Sequence, residues 1–123
     1  MKAILCTSFG LPDSLLLCVV EDPTPSEGEV LIRVEACGVN FPDILLIQNK
    51  YQFKPPLPFA PGGEVCGVVE QAGPNVQHLQ AGDRVVALCG WGGFAEKVVV
   101  KANRVFKVPT ALDPITGATT LYT

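Results

Sequence analysis

The sequence has a single histidine, His78, and no Cys-x-x-Cys pair among its five cysteines. Structural and catalytic metal sites draw on closely spaced thiolates and imidazoles, so ligands for such a site are scarce. Long apolar runs are missing too: none approaches the roughly 20 residues that cross a bilayer. The N-terminus, Met-Lys-Ala-Ile-Leu-Cys-Thr, runs directly into a strand-like stretch and lacks a signal-peptide cleavage site. Charge is sparse, at 17% of residues with a net −3, which offers no basic footprint for nucleic acid. These absences point away from nucleic acid and membrane as partners. The cysteines, Cys6, Cys18, Cys37, Cys66 and Cys89, are odd in number, irregularly spaced and set in or beside apolar runs. Buried free thiols in a reducing cytoplasm account for them better than disulfides do.

What remains is a chain of 123 residues, 48% of them apolar, enough for one domain with its own core. Its 11 prolines and 12 glycines punctuate apolar runs rather than forming tracts, and so read as turns. Strands are expected at Lys2–Cys6, Leu15–Val20, Val30–Cys37, Val65–Glu70, Arg84–Cys89, Glu96–Val100 and Val105–Val108. The clearest is Val30–Cys37, where Val30, Ile32, Val34 and Ala36 alternate with outward-facing Arg33 and Glu35. Many short strands separated by turns predict a mainly β fold, closed or nearly closed into a barrel. One helix is expected at Phe41–Gln48, with Pro42 in its first turn and Asp43 complementing the positive end of its dipole. Leu112–Thr123 turns to Ala, Thr and Leu, like a helix or linker beginning.

Five ordered motifs carry a family likeness. They are Cys-Gly-Val-Asn-Phe-Pro-Asp at 37–43, Lys-Tyr-Gln-Phe-Lys-Pro-Pro-Leu-Pro-Phe at 50–59 and Pro-Gly-Gly-Glu-Val-Cys-Gly-Val-Val at 61–69. Ala-Gly-Asp-Arg-Val-Val-Ala-Leu at 81–88 and Gly-Gly-Phe-Ala-Glu at 92–96 follow. With them the chain resembles the N-terminal, GroES-like catalytic domain of the medium-chain dehydrogenase/reductase superfamily. Within it, the zinc-free quinone oxidoreductases are the nearest likeness. The resemblance implies a GroES-like β-barrel with one or two short helices.

It also implies what is missing. Zinc-dependent relatives place a Cys where Asn40 stands and a His where Gly63 stands. Neither an amide nor a bare glycine replaces a thiolate and an imidazole. Cys37 is three residues from the ligand position, and the cysteine-rich lobe of a structural zinc is absent, so no metal is expected. Alcohol oxidation needs a Lewis acid at the hydroxyl; a quinone or conjugated enone already accepts hydride and needs only hydrogen bonds where charge develops. The likeness therefore implies a small-molecule quinone or enone as substrate and NADPH as cofactor. Asn40, Asp43 and Tyr51 would line the cleft beside the nicotinamide. Tyr51 would donate to a carbonyl oxygen, and Asn40 would orient the cofactor's ribose or the substrate.

Plainer readings stand beside these. Asn40 and Asp43, three residues apart, also form an N-cap pair. Tyr51 also reads as a loop aromatic packed on Pro55 and Pro56. Glu64 reads as a hydrogen-bonder at a strand entrance rather than a catalytic acid, and His78 as solvent-exposed. Gly90-Trp91-Gly92-Gly93 fails the dinucleotide fingerprint and reads as a hairpin turn, with Trp91 a weak candidate for overhanging the cleft. Asp83 and Arg84 are available for a surface ion pair of little weight.

The family's reaction needs a Rossmann domain, whose fingerprint is not in these residues. The expectation is a catalytic domain at 1–111 with 112–123 leading toward a cofactor domain, the chain being a fragment inactive by itself. Relatives often dimerise through that domain, which leaves a homodimer open. The rivals are a zinc-type alcohol dehydrogenase domain and a non-catalytic GroES-like binding or assembly module.

Overall fold

The structure, a computed structural model, describes residues 1–121; Tyr122 and Thr123, part of the exit segment read above, lie outside the described residues. The chain runs β1 (Lys2–Leu5), β2 (Leu16–Val19), β3 (Glu29–Gly38), α1 (Phe41–Ile47), β4 (Glu64–Ala72), β5 (Arg84–Leu88), β6 (Lys97–Lys101), β7 (Val105–Lys107) and α2 (Pro114–Ala118). Each predicted strand is present to within a residue or two at its ends, and Gln48 caps α1 instead of extending it.

All the strand pairings are antiparallel. The main sheet has the order β6-β3-β4-β5-β7, while β1 and β2 form a separate pair. The mainly β architecture with two short helices is the expected one, and no continuous ladder closes it into a barrel. The pair touches the rest through isolated bridges, Ala3 to Ala95 and Cys6 to Phe59, not through a continuous ladder. The segments facing it are rich in Pro and Gly, at 55–62 and 90–93, and prolines cannot donate to a ladder.

The β-branched residues fill the core as their period demands. Val30 and Ile32 of β3 meet Val65 and Val69 of β4, Val85 of β5, Val98 and Val100 of β6, and Val105 of β7. Each buried Val or Ile contributes roughly 1.5–3 kcal/mol relative to exposure. Leu31, on the opposite face of β3, is also buried at 5% exposure, a departure from strict alternation. The pairing of β3 with β4 slips between Leu31 and Ile32 and again between Val34 and Ala36, and such bulges add local twist.

β4 and β5 bury both faces. Cys66 and Val86 point away from the main core and pack with Ala118 of α2, with Leu121 against them. A third cluster joins Cys6, Leu46, Ile47 and Phe59, which seats α1 against the β1 side. Asp83 and Arg84 each enter an ion pair, though not with one another: Arg84 bonds Glu35 at 2.7 Å, and Asp83 pairs with Lys107 at 3.6 Å. Neighbours on a strand point to opposite faces, so the partners come from across the sheet.

Candidate functional site

β3 ends at Gly38, and the chain turns through Val39 into α1. Asn40 has extended backbone angles, φ −126° and ψ 164°, as an N-cap residue does. Asp43 is the third helical residue, and its Oδ2 accepts the Asn40 N–H at 2.8 Å. The Asn40 side chain faces back toward the Asp43 N–H in a capping box, and that N–H also bonds the Asn40 carbonyl at 3.0 Å. Pro42 sits in this first turn, where helical N–H groups have no intrahelical partner to lose.

Capping is only part of what these side chains do. The other Asp43 oxygen, Oδ1, accepts the Gly62 N–H at 3.1 Å, tying the helix to the Pro61–Gly63 run. Asp43 is 5% exposed. Burial pushes its carboxyl above the usual carboxylate range, against the opposing pull of the Asn40, Gly62 and Gly63 N–H groups. The Asn40 amide nitrogen reaches across to Glu64 Oε1 at 3.3 Å. Glu64 is the first residue of β4 and wholly buried, and its Oε2 accepts the Leu121 N–H. Asn40, Asp43 and Glu64 are thus one connected group.

The Pro61–Gly63 run is itself zipped to the glycine loop. Gly92 N–H bonds Ala60 O at 2.7 Å, Gly93 N–H bonds Gly62 O at 2.9 Å, and Cys89 N–H bonds Gly63 O at 2.8 Å. Gly62 has φ +101°, and a Cβ there would lie 2.6 Å from Phe94 Cδ1 and 2.7 Å from Cys37 Sγ. Only glycine combines that backbone with that approach. The loop at 90–93 is not the hairpin turn read from sequence: it leads from β5 to β6, and these are not neighbours, β5 lying between β4 and β7 and β6 beside β3.

Tyr51 stands outside this hydrogen-bonded group. It lies past the far end of α1 and packs against the cluster of Cys6, Leu46, Ile47 and Phe59. Its ring meets Phe53 edge-to-face at 5.6 Å, so those residues, not the Pro55–Pro56 pair alone, set its position. An apolar cleft of about 70 Å³ runs along α1 between Val39, Ile44, Ile47, Pro61 and Phe94, with Asp43 in its wall. Trp91, 39% exposed, lines a different and larger groove of about 420 Å³ with Phe59 and Ala60. Neither Asn40, Asp43 nor Tyr51 lines that groove. His78 is exposed.

The two thiols nearest the site are not poised to react. Burial pushes both Cys37 and Cys89 up to about 12. Cys37 Sγ donates to Gly38 O at 3.5 Å and Cys89 Sγ to Gly62 O at 3.2 Å. Among the described residues no group of three or more His, Cys, Asp or Glu side chains comes together as a ligand set. Position 40 offers an amide and position 63 no side chain, and neither is a usual zinc ligand. Among the described residues no helix is long and apolar enough to cross a membrane.

Sequence reasoning placed Glu64 as a strand-entrance hydrogen-bonder, but its partners lie 24 residues before it and 57 after. Its one sequence signal was a carboxylate set between glycines and a run of buried apolar residues.

Known proteins share this sequence pattern and fold. The chain is 41% identical over 120 residues to the quinone oxidoreductase of Lama guanicoe, covering 96% of this chain and 36% of that protein. It superposes on the quinone oxidoreductase of Thermus thermophilus, also solved in complex with NADPH. There the TM-score is 0.80 at 39% identity, over 96% of this chain and 36% of that one. A cobalt- and zinc-bound thermostable alcohol dehydrogenase from Pyrobaculum aerophilum matches at TM-score 0.87 and 32% identity, over 98% of this chain and 43% of that one. The chain thus spans about a third of the length of the curated relative. The family model for the alcohol dehydrogenase GroES-like domain matches residues 26–110. This chain belongs to that family, the GroES-like domain of the medium-chain dehydrogenase/reductase superfamily.

Proposed function

We propose that the chain forms the substrate-side wall of a zinc-independent reductase that uses NADPH to reduce quinones or α,β-unsaturated carbonyls in the cytoplasm. One observation carries the reading: the position where zinc relatives hold a thiolate has an amide, Asn40, already engaged by Glu64. Without a Lewis acid, an alcohol keeps its high pKa and is a poor hydride donor. An electron-poor quinone or enone avoids that step and needs donors at its developing oxyanion.

Each residue then has a distinct task. NADPH supplies the hydride when bound. Asn40, half-buried at the head of α1, retains acceptor capacity on its carbonyl oxygen and orients the ribose or the substrate. Asp43 has both oxygens occupied by backbone N–H groups, so it lines the cleft and fixes the helix that carries Asn40. Tyr51, anchored through its ring, offers its hydroxyl to a carbonyl oxygen.

The cleft of about 70 Å³ along α1 is far below the roughly 300–1,000 Å³ of ligand pockets, which supports a site completed by a second wall. In this reading residues 1–111 are the catalytic domain, and 112–123 begin the path to a cofactor domain. The test is NADPH oxidation with a small quinone, comparing this chain with a longer version that carries a following dinucleotide-binding domain. Turnover by the longer version without added metal is expected, with none from the short chain. Zinc at one equivalent in the active protein, or silence from the longer version, overturns the assignment.

A further inference from the structure

Glu64 is wholly buried and makes no ion pair among the described residues. A buried carboxylate without a cation must be held by hydrogen-bond donors. Two supply it: Asn40 Nδ2 at Oε1 and the Leu121 N–H at Oε2. The groups converge at Gly38, where a Cβ would lie 2.5 Å from the Ala118 carbonyl, 3.1 Å from Glu64 Oε1 and 3.4 Å from Asn40 Nδ2. The end of β3, the head of α1, the start of β4 and the segment after α2 all meet at this point.

We propose that Glu64 is a positioning residue that sets the orientation of the Asn40 amide and couples it to the docking of the exit segment, Ala118–Leu121. A carboxylate oxygen accepts; it has no proton to give. The Asn40 amide must therefore turn its NH2 end to Glu64, since the reverse orientation sets carbonyl against carboxylate. That turns the carbonyl end toward the Asp43 N–H of the capping box and leaves the second N–H of the amide for a ligand. The same carboxylate holds Leu121, so loosening the exit segment shifts Glu64 and frees the amide. The inference deepens the proposed function and rests on it for the role of Asn40 toward a cofactor or substrate.

The experiment uses the 15N-labelled 123-residue chain and needs neither cofactor nor substrate, so its failure is separable from failure of the reductase assay. In Glu64→Gln the new side chain accepts at one end only, leaving one of the two donors unpartnered. The Asn40 side-chain NH2 resonances and the Leu121 amide should both move. Hydrogen exchange at Leu121 should rise about tenfold or more, while the Val30 and Ile32 amides stay in place. Leu121→Pro removes the N–H without touching Glu64, and the Asn40 NH2 resonances should shift there as well. An Asn40 signal that stays fixed in Leu121→Pro refutes the coupling. Unchanged Asn40 and Leu121 signals in a folded Glu64→Gln refute the positioning role. If Glu64→Gln loses its dispersed spectrum, Leu121→Pro alone decides.

Discussion

The Asp43 carboxylate bonds the Gly62 N–H at 3.1 Å, linking the first turn of α1 to a backbone stretch 19 residues away. Its other oxygen holds the Asn40 N–H, so one buried side chain fixes both the helix start and the neighbouring loop. Asp43→Ala leaves two backbone donors without this partner and should destabilise the chain by about 2–4 kcal/mol in urea unfolding. Asp43→Asn keeps one acceptor and should cost about half as much. An effect within roughly 0.5 kcal/mol for Asp43→Ala, the size expected of any surface change, would show the link to be idle.

The same carboxyl predicts a pH trend. Burial raises its folded-state pKa above the unfolded value, so its contribution is fully present below the usual carboxylate range and lost as pH rises through the folded value. The stability of the wild type relative to Asp43→Asn should therefore fall as pH climbs from the acid side toward neutrality. Paired unfolding curves at several pH values check the sign, and a rising difference contradicts it.

Gly62 and Gly82 make a matched pair. Both have positive φ, +101° and +97°, but a Cβ at Gly82 meets nothing within 4 Å while one at Gly62 strikes Phe94 and Cys37. Gly82→Ala should cost about 1–2 kcal/mol from backbone strain alone. Gly62→Ala adds overpacking and should cost at least about 2 kcal/mol more. Equal melting temperatures for the two variants would remove crowding from the account.

The two half-buried thiols beside the site give an alkaline limb. Cys37 and Cys89 sit at about 12, against an ordinary 9.0, so the folded chain holds these protons more tightly than the unfolded one. Stability is fully present below about pH 9 and lost between there and about 12, at a slope of order 1 kcal/mol per pH unit for each thiol. At pH 8 both thiols therefore stay almost wholly protonated. Iodoacetamide should then leave both unlabelled in the native chain and modify them after unfolding, as peptide mass mapping would read.

Tyr51→Phe separates packing from chemistry. The ring that meets Phe53 and the Phe59 cluster is kept, so stability should change by less than about 0.5 kcal/mol. In the longer version with a cofactor domain, loss of the hydroxyl should lower kcat roughly 10²-fold if it donates to the reacting oxygen. An unchanged kcat makes Tyr51 a packing residue only.

Local chemistry made much of this legible. Alternation in Val30–Ala36 marked β3, and Asn-Phe-Pro-Asp marked the start of α1, because both signals lie within a few residues of their effect. Links over long separations were not legible. The Glu64 to Leu121 bond, the isolated bridges in place of a closed ladder and the Arg84 to Glu35 pair all depend on how strands cross. Tyr51 shows the same limit from the other side: its neighbours in sequence were prolines, yet residues of several different segments decide where its ring sits.

The close seat of Ala118 over Gly38 has a practical side. Leu121 is held by the same carboxylate as Asn40, so a reporter or affinity module fused close to it would shadow the site. Attachment at a remote turn such as the exposed 74–75 pair avoids that shadow.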